Sequence, residues 1–237
     1  MRSGMRSQTG QGFVEYVLIL VFVVLVSLAG LRLFGADVAT GYWQIMTAFG
    51  SLADDFGRDL NRWSSATGSL MWNGYKRAVG GWKIKDGRMI GDPWSVNMFN
   101  NYVGSDFSID LKGARLDTQG SDWNGYGTLF RASKNQNGSW NGYSFEFEEH
   151  PKGTVRMYFS RVDNGYQTKI GTPTTVPTGF TLKDAQNITV NAQGSNFTAT
   201  WNGKPLVTAT DKTYKNGQVG ICTNAGSTAS FDGFAVR

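Results

Sequence analysis

Cysteine and histidine are nearly missing from this chain: Cys222 and His150 are the only ones in 237 residues. A lone cysteine forms no disulfide within the chain, and one histidine with one cysteine makes no zinc cluster. The expected state of Cys222, inside the strand-like run Gly220-Ile221-Cys222-Thr223, is a buried, inert thiol. No Gly-rich phosphate loop is present, and the sequence implies no cofactor. Charge is sparse, with 23 Lys and Arg against 18 Asp and Glu for a net +5. The two signs are interspersed, which is a mild basicity and not a nucleic-acid-binding stripe.

Acidic residues are also missing from the leader Met1–Gly10, which carries Arg2 and Arg6. From Tyr16 to Leu31 every residue except Ser27 is apolar or small. Phe13 to Phe34 as a helix would be about 33 Å long, enough to cross a hydrocarbon core. The basic flank before it and the longer polar part after it fit a cytoplasmic start and an exported body. Three readings are open. A signal peptide would be cut after Ser27-Leu28-Ala29. A plain anchor would stay uncut. In the third, cleavage falls before the apolar helix. Glu15 discriminates, because a carboxylate at the edge of a membrane helix is costly and a plain anchor has no use for it.

Gly10-Gln11-Gly12-Phe13-Val14-Glu15-Tyr16, followed by VLILVFVVLV, resembles the processing site of Flp-type (type IVb, tight-adherence) pilins. The resemblance implies cleavage by a prepilin peptidase between Gly10 and Gln11, with Glu15 and Tyr16 as the paired assembly residues. It implies that Glu15 of one subunit neutralises the freed amino group of Gln11 on a neighbour, where either charge alone would be costly. The implied partners are other pilin subunits in a filament, the peptidase, the pilus assembly machinery and, before assembly, the cytoplasmic membrane. The expected final location is an extracellular surface filament. Most Flp pilins are little more than this helix, whereas this chain continues for some 200 residues.

Tyr42, Ile45, Phe49, Leu52, Phe56, Leu60 and Trp63 then follow at steps of three and four, one apolar stripe of a helix. Gly41, Gly50 and Gly57 weaken it by roughly 1 kcal/mol each, so it needs packing partners, either its own domain or the same helix of other subunits. The expected organisation is a leader over 1–10, a hydrophobic then amphipathic helix over 11–63, a linker over 64–80 that opens with Ser64-Ser65-Ala66-Thr67-Gly68-Ser69, and a sandwich over 81–237.

The sandwich expectation rests on composition and alternation. Glycine reaches 31 residues, well above the usual ~7%. Short strand-like runs recur between turn signals, among them the hairpin around Asp86-Gly87 and the Asn202-Gly203 turn. About 11 strands are expected, an all-β jelly roll with enough length to bury its own core. Four Trp-Asn-Gly triplets begin at Trp72, Trp123, Trp140 and Trp201. They read either as turns with an aromatic neighbour or as exposed rings that stack on sugars.

Trp82-Lys-Ile-Lys-Asp-Gly-Arg-Met-Ile, Phe107-Ser-Ile-Asp-Leu, Tyr126-Gly-Thr-Leu-Phe-Arg131 and Tyr143-Ser-Phe-Glu-Phe open a familiar order of strands. Phe197-Thr-Ala-Thr-Trp-Asn-Gly-Lys204, Gly217-Gln-Val-Gly-Ile and Phe231-Asp-Gly-Phe-Ala-Val complete it. Together they resemble the concanavalin-like lectin and glucanase sandwiches, in particular their laminin-G-like and keto-disaccharide-hydrolase-like branches. That superfold hosts lectins, hydrolases and adhesive modules alike.

Tyr143-Ser-Phe-Glu-Phe-Glu-Glu-His150 is the best place for chemistry. Alternation puts Phe145 and Phe147 on one face and Glu146, Glu148 and His150 on the other. Two carboxylates about 7 Å apart are compatible with glycoside acid/base work. Laminarinase-type members of the superfold carry Glu-x-Asp-x-Glu on such a strand; here the Asp is lacking and His150 stands at the second glutamate, so the motif does not carry over. With a turn at Pro151-Lys152-Gly153, Glu148 lies opposite Arg156 and Glu146 opposite Tyr158, ordinary cross-strand pairs. Alternatively Arg131, Glu146, Glu148, Arg156 and Tyr158 line a glycan-binding sheet with Trp123, Tyr126 and Trp140 at its rim. Asp110 and Asp232 are candidates for a structural Ca²⁺, although calcium wants six to eight oxygens. The expected function is a pilin-like subunit displaying a lectin-like adhesive domain. The alternatives are a membrane-anchored carbohydrate-active enzyme or a surface lectin that never polymerises.

Overall fold

In the computed structural model the chain divides into two units, Met1–Ala48 and Phe49–Arg237. The structure describes residues 52–57, 59–66, 69–73, 75–150 and 153–237. The expected leader, membrane segment and Gly10, Gln11, Glu15 and Tyr16 lie outside the described residues.

Among the described residues there is no α-helix. The strands are β1 (Leu52–Asp54), β2 (Trp63–Ser65), β3 (Ser69–Trp72), β4 (Tyr75–Ala78), β5 (Trp82–Lys85), β6 (Arg88–Gly91), β7 (Val96–Gly104), β8 (Phe107–Gln119) and β9 (Asn124–Lys134). Then come β10 (Trp140–Glu149), β11 (Val155–Asp163), β12 (Tyr166–Thr175), β13 (Gln186–Gln193), β14 (Asn196–Trp201), β15 (Lys204–Thr210), β16 (Gly217–Thr223), β17 (Ser227–Phe231) and β18 (Gly233–Val236). One antiparallel sheet runs β15-β14-β13-β8-β17-β6-β5, with β18 pairing both β8 and β1. The other runs β12-β11-β10-β9-β16-β7-β2, and β3 pairs only with β4.

Period-two alternation builds the core between the two sheets. Phe107, Ile109 and Leu111 of β8, Ile188, Val190 and Ala192 of β13, and Phe197 and Ala199 of β14 are buried from one side. Phe130 of β9, Tyr143, Phe145 and Phe147 of β10, and Met157 and Phe159 of β11 meet them from the other. The core is held by aromatic edges: Phe130 meets Phe197 at 5.1 Å between centroids and Phe145 meets Phe159 at 5.2 Å. Such pairs add about 0.5–1.5 kcal/mol beyond the area they bury.

The expected hairpins stand where their turn residues require them. Asp86 and Gly87 have φ of 54° and 69°, and Asn202 and Gly203 have 48° and 76°, both central residues left-handed as a type I′ turn demands. The register of β10 on β11 pairs Glu146 with Tyr158 and Glu148 with Arg156, as the turn at 151–153 implied. Of the Trp-Asn-Gly triplets, those at Trp72 and Trp201 turn a hairpin. Asn124 and Gly125 instead open β9, and Asn141 and Gly142 form a bulge within β10.

Two expectations are corrected. The apolar stripe from Leu52 to Trp63 is not a helix: β1 pairs with β18, β2 pairs with β7, and the chain folds back between them. The reason lies in the acids of that stretch. Asp54, Asp55 and Asp59 each accept the backbone N–H two residues on, from Phe56, Gly57 and Asn61. Such local bonds compete with a helix and favour turns. Phe56 and Trp63 then meet at 5.9 Å within the core, so the three-and-four spacing is satisfied by a fold-back. Residues 64–80 are likewise not a bare linker, since Ser64 and Ser65 pair with Met98 and Asn97 and the β3–β4 hairpin follows. The strand count rises above the expected number because β1 to β4 and β7 add to it and β17 and β18 separate at Asp232.

Trp63 packs on Phe99 at 5.1 Å and Phe234 at 4.9 Å, and its Nε1–H donates to Asp54 at 2.8 Å. A chain beginning at Gly81 therefore loses part of its core. We expect it to melt well below a chain beginning at Leu52, with Trp63→Ala in the longer chain costing about 3–5 kcal/mol; equal melting temperatures in calorimetry would show that residues 52–80 are dispensable.

Candidate functional site

Alternation that sends Phe145 and Phe147 inward sends Ser144, Glu146 and Glu148 to the outer face of the seven-stranded sheet. Their neighbours there are set by register. Tyr158 of β11 lies beside Glu146, and Gly127 of β9 lies on its other side, followed by Cys222 of β16. Any side chain at Gly125 or Gly127 would run into the carbonyls of Phe147 and Phe145. These glycines keep the sheet bare next to Glu146.

The described parts of the chain between Ala66 and Gly80 lie along this same face, a strap anchored at three points. Ala66 N–H donates to Val96 at one edge, Asn73 N–H donates to Gly165 at the β11–β12 turn, and Gly80 N–H returns to Trp94. Gln167 N–H donates to Asn73 Oδ1 at 2.7 Å. Beneath this strap lies an apolar patch of Met98, Leu129, Trp140, Val162 and Cys222, with Val79 packed on it. The strap covers part of the face and leaves a cavity of about 170 Å³ beside it. Glu146, Glu148, Tyr158 and Cys222 line the cavity from the sheet, Asn73 and Gln167 from the strap side, and Trp94, Trp123 and Asn224 from the loops.

The walls are fixed in different ways. Trp94 has φ of 56°, a left-handed conformation that a bulky side chain adopts at a cost of about 1–3 kcal/mol. The surrounding loop holds it: Trp94 N–H donates to Asn224 at 3.3 Å, and Ser95 and Thr223 bond each other through backbone and hydroxyl. Trp123 is 40% exposed and meets His150 edge-on at 4.5 Å.

Glu146 is 4% exposed. Gln167 Nε2 donates to its carboxylate, and Ser144 also bonds it. Burial, with a smaller push from Glu148, raises its pKa to about 7 despite those bonds and the nearby Lys169. Glu148 instead pairs with Lys169 at 3.4 Å, and the same ammonium sits 4.1 Å from the Tyr158 ring centroid. Burial and then Glu146 push the Tyr158 phenol upward, and burial does the same to the Cys222 thiol, so both stay protonated.

Of the residues expected at a glycan site, Trp123, Glu146, Glu148 and Tyr158 come together. Three do not. Arg131 is 3% exposed on another part of the molecule, its guanidinium donating to the carbonyls of Ser105, Gly194 and Tyr214. Tyr126 is buried between the sheets, with its hydroxyl on Ala114. Trp140 is 4% exposed under the strap. Arg156 stands opposite Glu148 in register but does not line the cavity. Nor are Asp110 and Asp232 brought into one cluster; Asp110 pairs with Arg237 and Asp232 with Arg88. Among the described residues no group of three or more acids, His or Cys gathers as a metal site. Trp94 and Asn73 were not foreseen. The signals for them were the Asp92-Pro93 turn before an aromatic and the triplet at Trp72.

No protein-family model matches the chain, and no curated protein matches its sequence. Solved structures do match its shape. The carbohydrate-binding module CBM66 from Bacillus subtilis superposes with a TM-score of 0.54 at 19% identity, over 73% of this chain and 92% of that one. A β-glucanase of Bacillus licheniformis superposes with a TM-score of 0.56 at 14% identity, over 79% and 97%. A lichenase from a mouse hindgut metagenome gives 0.54 at 15% identity, over 78% and 98%. At these identities the likeness establishes the fold: an all-β sandwich of two antiparallel sheets, like carbohydrate-binding modules and glucanases.

The buried Glu146 makes stability depend on pH. Its folded pKa lies above the unfolded value of 4.5, so its contribution is complete below that value and is lost as pH rises through 7. Relative to Glu146→Gln, the wild type should lose about 3 kcal/mol between acid and neutral pH. Parallel stability curves for the two proteins from denaturant titrations would show that Glu146 titrates normally.

Proposed function

We propose that the sandwich is a glycan-binding module and that the cavity over Glu146 holds the sugar. The observation that carries this reading is the joining of Trp94 and Trp123 with Glu146, Glu148, Asn73 and Asn224 around one small cavity. Aromatic rings supply flat apolar surface for the C–H face of a sugar, and the amides and carboxylates meet its hydroxyls. The fold shared with carbohydrate-binding modules supports it. The cavity's size and the strap beside it favour one ring at a time over a long chain in a cleft. A second reading is a hydrolase with Glu146 as acid and Glu148 as base, favoured by the raised pKa of Glu146. The ion pair between Glu148 and Lys169 weighs against it, because it occupies the second carboxylate.

An array of immobilised plant, fungal and bacterial glycans, probed with the full chain in detergent, tests both readings. Trp123→Ala should weaken the glycan that binds by about tenfold or more, in line with the loss of one aromatic anchor, and leave the melting temperature unchanged. Unchanged affinity would move the site elsewhere. Release of reducing sugar that stops in Glu146→Gln would favour the hydrolase.

The carrier of this module is proposed to be the N-terminal segment, as a processed pilin-like helix. The support is the residues Gly10 to Tyr16 and the apolar run behind them. Mass spectrometry of the N-terminal peptide should find a mature chain beginning at Gln11. An intact Met1, or a cut after Ala29, would leave an anchored or secreted glycan-binding protein.

A further inference from the structure

The residues lining the cavity include two carboxylates, Glu146 and Glu148, and no lysine or arginine. Such a lining repels uronic acids and sulfated sugars. Inside it, Glu146 is almost fully buried, yet its bonded partners, Gln167 and Ser144, are neutral. The other groups that act on it are Glu148 and Lys169, and it acts in turn on Tyr158 and Cys222. Lys169 is the one cation in this set, and it is already engaged by the Glu148 carboxylate and the Tyr158 ring. Arg156 stands in register with Glu148 but does not line the cavity and is not among the groups that act on Glu146. Glu146 therefore has no cation of its own, and a buried carboxylate without a cation is a costly arrangement. A ligand that brought a second ammonium would balance it. The tryptophans at the cavity fit the same chemistry, since the indole face attracts cations more strongly than any other side-chain ring.

We infer that the cavity takes a sugar bearing a protonated amine, a hexosamine unit of a de-acetylated polysaccharide, with its ammonium at Glu146. The inference rests on the reading of the cavity as a glycan site. Asn73 and Asn224, which also line it, supply amide groups for hydroxyls. That favours an amino sugar over a small quaternary ammonium, which has no use for them.

Calorimetric titration of the full chain in detergent compares tetramers of glucosamine, of N-acetylglucosamine and of neutral glucose, with choline as a fourth probe. The glucosamine tetramer should bind about tenfold tighter than the other two, a gain in the range of one ion pair or cation–π contact. Glu146→Gln should bring the three tetramers within about twofold of each other. Its melting curve, unchanged or raised, would show that it folds. Equal or tighter binding of a neutral tetramer, lost in Trp123→Ala, would overturn the amine and keep the glycan site. A preference that survives Glu146→Gln would overturn the role given to Glu146. Choline binding as tightly as the glucosamine tetramer would overturn the sugar. No binding of any oligosaccharide would overturn the glycan site itself.

Discussion

Everything in this sandwich turns on the two-residue period of β10. Phe145 and Phe147 anchor the centre of the core, and the same alternation puts Glu146 and Glu148 on the opposite face. Core and site are thus two sides of one strand. A slip of one residue would bury both carboxylates among phenylalanines and expose the rings, which would destroy fold and site together. The bulge at Gly142 lies upstream of this stretch, so the register from Tyr143 to Glu149 continues unbroken against β9 and β11.

The face carrying the carboxylates would be a wide shallow sheet if it were bare. The strap changes that. Ala66 and Val79, near its two ends, pack with Met98, Leu129 and Trp140 into a second small core on the outer face. What remains is a cavity at one end, closed by Asn73 on the strap side and by the two tryptophan-bearing loops. A partly covered sheet offers less open surface but more enclosure than a bare one.

Much of the sandwich was legible in the sequence because its signals are local. Asn202-Gly203 and Asp86-Gly87 specify turns by themselves, and the pairing of Glu146 with Tyr158 followed from one turn position. The stretch from Leu52 to Trp63 was misread because its apolar spacing fits a helix. What decides it is a set of aspartate side chains capping their own backbone, and edges of β7 and β18 that no local pattern reveals. The site was half legible for a related reason. Glu146, Glu148 and Tyr158 share adjacent strands, so register places them. Trp94 comes from a loop far away in sequence, pinned by Thr223 and Asn224. Arg131 and Trp140 resemble site residues in composition, but a positive φ of 45° at Arg131 and the strap over Trp140 take them away from the cavity.

The cavity also gathers the costs of the fold. Trp94 sits in a strained backbone conformation, Glu146 is a carboxylate that burial drives toward neutrality, and Gly125 and Gly127 give up side-chain packing in the interior of a strand. The conformation of Trp94 and the burial of Glu146 do not help the sandwich stand, whereas the two glycines are required where they are, because a side chain at either would meet a carbonyl of β10. They coincide at one place, on the outer face, away from the inter-sheet core that supplies the stability to carry them. Left-handed backbone also occurs away from the cavity, at Phe56 and at the buried Arg131. What sets the cavity apart is a combination: a left-handed tryptophan, a nearly buried carboxylate and two glycines that admit no side chain, all beside one hollow of the outer sheet face.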